Sequence, residues 1–332
     1  FCPDIPGADA VDICGVSTLR DGLEIRRRLD EGGIKKAVIV GGGYIGLEMA
    51  EALLMNGLEV SLINRPPQVM ATLDEEMGAL VSQALRDSGV TLYLNEALTA
   101  FETTAGRVTG VVTDKRSLPA DIVILGLGVR PNTALAAAAG IPLGEKGAIR
   151  VNERMETGIA GIWAAGDCAE SFHLVSRKPF YIALGTVANR HGRVAGINLG
   201  GGYATFPGVV GTAVTKICRV EVARTGLQEK ELAKLGIEWV SAVIRSRTKA
   251  GYYPGAGEIS VKVLAERGSG RLLGGQIVGM EGSAKRIDTL ATALHAGFTV
   301  EEMINLDLGY APPFSPVWDP VVIAAREVAK KL

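Results

Sequence analysis

Cysteine is scarce in this sequence of 332 residues. The four cysteines are Cys2, Cys14, Cys168 and Cys218, and they form neither a CxxC pair nor a metal-binding spacing. This usage argues against a disulfide scaffold or a metal site and is typical of a protein from a reducing cytoplasm. Cys168 is interpreted as a small packed residue, and the other three lack a neighbouring basic pair or helix start that would activate a thiol. No redox-active cysteine is therefore predicted.

The sequence also has no excess of charge of either sign. It contains 35 Lys and Arg and 36 Asp and Glu, and neither kind forms a block. That balance predicts neither nucleic acid nor an anionic membrane as a partner. The longest apolar runs, such as residues 135–140, are far too short to span a bilayer. No charged leader precedes an apolar stretch, so no signal peptide is expected.

What the sequence has in quantity is glycine, 43 residues in all, which indicates many tight turns and close backbone approaches. One glycine cluster follows Lys36–Val40, a short apolar run that predicts a buried parallel strand. After it, apolar residues recur on one helical face, and residues 59–63 predict a second strand. The pattern is that of a βαβ unit.

The cluster itself reads Gly41-Gly42-Gly43-Tyr44-Ile45-Gly46, a GxGxxG loop between a strand and a helix. Gly41 permits the tight turn, Gly43 lets the backbone approach a pyrophosphate, and Gly46 lets the helix pack on the strand. The helix N-terminus offers N–H groups and the positive end of its dipole to phosphates. The alternative interpretation is a glycine-rich turn without a ligand.

The end of the second strand usually reads the adenine ribose, and an acidic residue there binds the 2′-hydroxyl of NAD. This sequence has Asn64 followed by Arg65. Asn64 carries no charge to repel a 2′-phosphate, and Arg65 could pair with one, unless it is only a solvated surface residue. Both NADH and NADPH stay open as the nucleotide.

A second motif, Trp163-Ala164-Ala165-Gly166-Asp167, predicts a strand that runs into a Gly-Asp turn over residues 161–167. Gly166 permits close approach of the main chain, and the Asp167 carboxylate could accept hydrogen bonds from a sugar-like hydroxyl. Alternatively, Asp167 only caps the helix predicted at residues 187–198.

Further motifs follow in a fixed order, and the whole set resembles one family. They are Gly128-Val129-Arg130-Pro131-Asn132, Gly166-Asp167-Cys168, Leu184-Gly185-Thr186-Val187-Ala188-Asn189, Ala250-Gly251-Tyr252-Tyr253-Pro254-Gly255 and Tyr310-Ala311-Pro312-Pro313-Phe314. The sequence is similar to pyridine nucleotide–disulfide oxidoreductases, in the branch that holds coenzyme A-disulfide reductases, NADH oxidases, NADH peroxidases and polysulfide reductases. The resemblance covers essentially the whole chain.

The resemblance implies two cofactors, FAD and NAD(P)H. Gly166 and Asp167 would bind the ribityl and phosphate region of FAD, and Gly185 and Thr186 would lie along the flavin. Gly128 would join the glycine loop in binding cofactor.

Catalytic roles are implied for three further residues. Tyr44 would cover the flavin face on which the nicotinamide docks, and Glu48 would lie near the nicotinamide. The last domain would form a homodimer that brings Tyr310 to the partner subunit's active site. The alternative for both tyrosines is ordinary packing with a hydrogen-bonded hydroxyl.

The implied fold is α/β, in three segments. These are a Rossmann-like NAD(P)-binding domain at residues 1–134, part of a FAD-binding domain at 135–205, and an α+β dimerisation domain from 206 to 332. The family's first FAD-binding unit and its redox cysteine are not found, so we expect this chain to be the later part of a longer protein and to be inactive alone.

The implied activity is NAD(P)H-dependent reduction of a disulfide or persulfide, such as coenzyme A disulfide or polysulfide. Oxidase or peroxidase activity toward oxygen or peroxide is the first alternative, and a non-catalytic dimerising nucleotide-binding fragment is the second. Trp318 stands where coenzyme A-disulfide reductases often have Lys, which puts coenzyme A recognition in doubt.

Overall fold

The computed structural model describes residues 3–332, so Cys2 lies outside the described residues. The strands of this part are β1 (Ile13–Cys14), β2 (Lys36–Val40), β3 (Glu59–Asn64), β4 (Thr91–Leu94), β5 (Leu98–Thr104), β6 (Arg107–Thr113), β7 (Ser117–Pro119), β8 (Ile122–Leu125), β9 (Ser171–His173), β10 (Lys178–Phe180), β11 (Ala213–Ile217), β12 (Val220–Gly226), β13 (Trp239–Arg247), β14 (Glu258–Glu266) and β15 (Leu272–Gly279). The helices are α1 (Leu19–Asp30), α2 (Tyr44–Met55), α3 (Glu75–Asp87), α4 (Ala134–Ala138), α5 (Gly185–Leu199), α6 (Glu229–Leu235), α7 (Ile287–Ala296), α8 (Val300–Ile304) and α9 (Pro320–Ala329).

The first half of the chain is built on a parallel five-stranded sheet with the order β1-β8-β2-β3-β4. Its central strand β2 is buried on both faces. On one face, apolar side chains of α2 and α3 such as Leu47, Leu53 and Met77 complete a core. The other face is covered by the antiparallel sheet β5-β6-β7. Each large apolar side chain buried here contributes roughly 1.5–3 kcal/mol relative to exposure.

The last part of the chain forms an antiparallel five-stranded sheet with the order β11-β12-β15-β14-β13. Helices α7 and α9 pack on one face of this sheet. The predicted antiparallel strands at residues 259–263 and 272–278 are present as β14 and β15. A parallel Rossmann-like sheet followed by a separate antiparallel sheet confirms the predicted fold class.

The strand predicted at residues 161–167 is wrong. Trp163 forms a single bridge with Glu156, and Gly166–Cys168 is one turn of 3₁₀ helix. A strand needs a neighbour for its main-chain groups, and within the described residues no strand lies beside this segment. Its main-chain hydrogen bonds run to the irregular segment 155–157 instead, such as Ala164 N–H to Met155 O at 3.2 Å.

Helix α9 follows the segment that carries Tyr310, the residue that the resemblance brings to the partner subunit. The helix is part of its own domain's core, because Val321, Ala324, Ala325 and Val328 are fully buried against β13 and β14. Removing α9 would therefore unfold the last domain. Among the described residues, no helix combines the length and the apolar character that crossing a bilayer requires.

Candidate functional site

A cleft of about 580 Å³ opens at the carboxyl ends of β2, β3 and β8. In a parallel sheet, all strand carboxyl ends meet at one edge, and ligands bind in the crevice outside it. Predicted site residues that line this cleft are Gly41, Gly43, Tyr44, Asn64, Arg65 and Gly128. The folded chain thus brings the glycine loop together with the end of β3 and the motif after β8.

Each glycine of the loop meets a different steric condition. Gly41 has φ of +108°, and a Cβ there would lie 2.4 Å from the carbonyl oxygen of Gly126. A Cβ on Gly46 would lie 2.0 Å from the carbonyl oxygen of Gly41. A Cβ on Gly43 would meet no atom within 4 Å. Gly41 and Gly46 are therefore required by the protein's own packing, whereas Gly43 leaves space open in the cleft.

The N-terminus of α2 fits an anionic ligand. Gly43 is its N-cap and supplies no side-chain hydrogen bond, and no acidic residue lies in the first turn. The first N–H groups of a helix and its dipole then favour a phosphate. The hydroxyl oxygen of Thr72, which also lines the cleft, is buried without a hydrogen-bond partner within residues 3–332. The residues present thus fit a dinucleotide phosphate.

Asn64 is buried and supports the loop through its side chain. Its Oδ1 accepts a hydrogen bond from Gly42 N–H at 2.9 Å, and its Nδ2 donates to the carbonyl oxygens of Gln68 at 2.7 Å and Pro66 at 3.3 Å. Both amide protons are therefore used inside the protein. Arg65 is exposed on the cleft and forms no ion pair with any residue of the described chain. Asn64 thus supports the loop, whereas the Arg65 side chain is exposed on the cleft.

The other predicted residues of α2 differ in whether they reach the cleft. Tyr44 is half-buried at the cleft wall, and Ile45 is half-buried within the first turn of α2. Glu48 lies one turn further on, is exposed, and does not line the cleft. Its Oε1 accepts a hydrogen bond from the Thr215 hydroxyl at 2.6 Å, which fixes the carboxylate against β11 of the last domain.

The second predicted cofactor-binding segment lies where the Gly166–Cys168 turn packs against α5. Asp167 is exposed there. Gly185 and Thr186 are the exposed first residues of α5, a helix of 15 residues whose N-terminus has no side-chain cap. This second helix start, beside an exposed carboxylate, fits a ligand that carries both a phosphate and hydroxyl groups.

Sequence reasoning missed His191, which supports this turn. The ring is fully buried; Nδ1 accepts a hydrogen bond from Gly166 N–H at 3.4 Å, and Nε2 contacts the Ser171 hydroxyl at 3.1 Å. Burial lowers the pKa of His191, although the Asp167 carboxylate opposes that shift. A single His in a helical pattern carries no sequence signal for this role.

Tyr310 lies outside the cleft, in the connection between α8 and α9. The neighbouring hydroxyl of Tyr252 raises the pKa of Tyr310. The two loops are also joined by Ala250 N–H, which donates to Pro312 O at 3.2 Å. With Phe314 and Trp318, these tyrosines form an aromatic surface, which we define as Tyr252, Tyr253, Tyr310, Phe314 and Trp318, all exposed.

The described chain thus has two helix starts that fit phosphate-bearing ligands, and comparison with known proteins shows its family. Residues 1–192 match the family model described as pyridine nucleotide-disulphide oxidoreductase. Residues 212–320 match the dimerisation domain of the same family. The chain belongs to the pyridine nucleotide-disulphide oxidoreductase family, as the sequence motifs predict, and the prediction of an oxidoreductase that uses FAD and NAD(P)H is confirmed at the level of this family.

Among its relatives is the NAD(P)H sulfur oxidoreductase (CoA-dependent) of Pyrococcus furiosus, 42% identical over 98% of this chain and 74% of the relative. The NADH oxidase of Methanocaldococcus jannaschii is 39% identical over 100% of this chain and 74% of the relative. A NAD-dependent persulfide reductase from A. fulgidus superposes with a TM-score of 0.96 at 39% identity. That match covers 100% of this chain and 62% of the reductase, so this chain spans less than two thirds of it.

Proposed function

We propose that the protein acts as a FAD-dependent NAD(P)H oxidoreductase whose acceptor is the sulfur of a disulfide or persulfide, such as coenzyme A disulfide or polysulfide. The observation that carries this proposal is the likeness along the whole chain to proteins named for sulfur and persulfide reduction. The cleft and the Gly166–Cys168 turn support it, because they provide two separate phosphate-binding helix starts.

In this proposal the first site holds the nicotinamide nucleotide. The N–H groups at the start of α2 receive the pyrophosphate, and Gly43 leaves room for it. Arg65 reads the 2′ position, so NADPH is accepted as well as NADH. Tyr44 at the cleft wall covers the nicotinamide position. The Glu48 carboxylate, held by Thr215, lies one turn of α2 beyond the cleft, and it borders a nicotinamide that extends past Tyr44.

The second site, at the Gly166–Cys168 turn and the start of α5, binds the flavin. The start of α5, with Gly185 and Thr186, faces the flavin, while Asp167 accepts hydrogen bonds from its ribityl hydroxyls. A bound flavin supplies the two-electron transfer between nicotinamide and acceptor. His191 and Ser171 act behind the Gly166 turn and keep its main chain in place.

A homodimer is the second part of the proposal, and the match of residues 212–320 to a dimerisation domain supports it. The aromatic surface is the proposed contact, because exposed aromatic residues next to one another are typical of interfaces. In the dimer, Tyr310 would approach the partner's flavin pocket. The arrangement is isologous, so each subunit supplies one tyrosine to the other.

Oxidase activity toward oxygen is the second candidate function, because the M. jannaschii relative is named as an NADH oxidase. Because the chain alone is expected to be inactive, the two candidates are separated by anaerobic and aerobic NADH assays of the chain joined to the family's first FAD-binding unit and redox cysteine and loaded with flavin. We expect NADH oxidation that requires coenzyme A disulfide or polysulfide and proceeds without oxygen. Turnover that depends on oxygen alone would favour the oxidase.

A further inference from the structure

Lys262 lies in the middle of β14 and is completely buried. Its Nζ lies 2.9 Å from Asp74 Oδ2, 2.6 Å from Glu76 Oε1 and 2.8 Å from Glu229 Oε1. An ammonium group has three N–H donors, so these three carboxylates use all of them. Burial by itself lowers the pKa of Lys262, but the hydrogen bonds to Glu229, Glu76 and Asp74 outweigh it and raise the pKa.

Asp74, one of the three carboxylates around Lys262, forms several further hydrogen bonds. Its Oδ2 also accepts a hydrogen bond from Gln276 Nε2 at 2.7 Å, and its Oδ1 accepts one from Glu229 N–H at 3.0 Å. Its own N–H donates to Gln276 Oε1 at 2.8 Å. Asp74 stands at the N-cap of α3, in the parallel-sheet domain, whereas Lys262, Gln276 and Glu229 belong to the last domain.

Asp74 also ends segment 65–74, which forms one wall of the cleft through Arg65, Met70, Ala71 and Thr72. Within this segment, Met70 N–H donates to the carbonyl oxygen of Gly42 at 2.7 Å. The carbonyl oxygen of Ala71 accepts a hydrogen bond from Lys230 of α6. The segment is thus bound to the glycine loop at one point and to the last domain at two others.

Met70 shows that this segment is held away from a relaxed conformation. Its φ of +49° lies in the left-handed region, which costs a non-glycine residue free energy and persists only where the surroundings fix it. The surroundings that fix it are the hydrogen bond to Gly42 and the anchored Asp74. Loss of the anchor would let the segment relax away from Gly42.

We propose that Lys262 is a positioning residue for the nucleotide cleft, which by fixing Asp74 holds segment 65–74 against the glycine loop. The inference rests on the proposed nucleotide site. Lys262 itself touches no nucleotide, and the last domain thereby contributes to cofactor binding as well as to dimerisation. The competing explanation is that the cluster only joins the two domains.

The test is Lys262→Met, with NADH binding to the full chain measured by fluorescence titration. We expect the dissociation constant for NADH to rise about tenfold, within the roughly 5- to 150-fold range of couplings between linked sites. The substitution leaves Asp74 facing Glu76 and Glu229 without a counter-ion, so stability also falls.

Two further variants separate positioning from stability. Asp74→Ala combined with Lys262→Met removes the buried carboxylate that has no counter-ion, but it also removes the acceptor of the Gln276 amide and of Glu229 N–H. Stability therefore recovers only in part, while the NADH affinity stays low. This double variant is the test if Lys262→Met does not fold. Met303→Ala, fully buried in the same domain's core, lowers stability without touching segment 65–74 and keeps the parent affinity.

Parent-like NADH affinity in both Lys262 variants would overturn the inference. An equal loss of affinity in Met303→Ala would also overturn it, since the effect would then follow stability alone. If the parent chain bound no NADH, the proposed nucleotide site itself would be wrong and the inference would fall with it.

Discussion

Gly43 offers a sharp test of the nucleotide site, because the structure predicts different effects for the three glycines of one loop. The backbone of Gly43 has φ of −88° and ψ of −175°, an extended conformation that any residue adopts. The methyl group of Gly43→Ala would meet no protein atom within 4 Å, and it would project where the cleft is open. The folded protein therefore tolerates it.

The expected stability change is small. Replacing glycine stabilises by about 0.4–1 kcal/mol through the unfolded chain, and alanine as an N-cap costs a similar amount. The free energy of unfolding should therefore change by no more than about 0.5 kcal/mol. Gly46→Ala, in contrast, forces a Cβ to within 2.0 Å of the Gly41 carbonyl oxygen, and such overpacking costs about 1–3 kcal/mol.

Of these two substitutions, Gly43→Ala should weaken nucleotide binding more, although it changes stability less. A methyl group at Gly43 displaces the pyrophosphate from the start of α2 and removes a charge-assisted hydrogen bond, which is worth about 1.5–3 kcal/mol, or roughly 10- to 150-fold in affinity. Urea unfolding measures stability, and calorimetric titration with NADH measures affinity. Gly22→Ala in α1, also without a neighbour within 4 Å, is the matched control. If Gly43→Ala bound NADH as tightly as this control, the pyrophosphate would not lie at the loop.

Three other predictions concern charge, pH and assembly. Arg65→Glu should weaken NADPH at least about tenfold more than NADH, because a carboxylate would face the dianionic 2′-phosphate; equal losses in parallel titrations would exclude Arg65 from that role. Burial lowers the pKa of His173 to about 4 in the folded protein. Between about pH 6.5 and pH 4, the unfolded chain therefore binds a proton at His173 that the folded protein does not bind. Stability should fall by up to about 3 kcal/mol as pH falls through that window, and a His173→Phe variant that keeps this slope in urea unfolding would contradict the assignment. Phe314→Asp on the aromatic surface should raise the dimer dissociation constant at least about tenfold, since burial of a large apolar side chain contributes about 1.5–3 kcal/mol; an unchanged mass in light scattering would place the interface elsewhere.

Asn64→Glu would not be a clean test of 2′-phosphate recognition, although Asn64 stands at the end of the second strand. In the structure, such a carboxylate would face the carbonyl oxygens of Gln68 and Pro66, so the loop itself would be disturbed. Arg65, exposed and without an ion pair in the described chain, is the cleaner position.

Local patterns in the sequence were sufficient for the nucleotide loop. The predicted bounds of Lys36–Val40 agree with β2, and those of residues 59–63 agree with β3 to within one residue, because short apolar runs between turns leave few alternatives. The glycine spacing predicted the turn and the helix start. These features depend on residues within about ten positions of one another, and such information is present in the sequence itself.

Contacts between distant segments could not be predicted in this way. Along β14, Lys262 alternates with apolar residues as a solvent-facing side chain would, yet α3 covers that face and makes Lys262 the centre of a carboxylate cluster. Trp163 lies in a strand-like sequence, but no described strand is placed to pair with it. A strand forms only beside a partner, and a buried charge is stable only among its counter-ions. The sequence by itself determined the family and the nucleotide loop, whereas the domain packing decided which polar residues support that loop, because the partners of those residues lie up to about two hundred positions away in the chain.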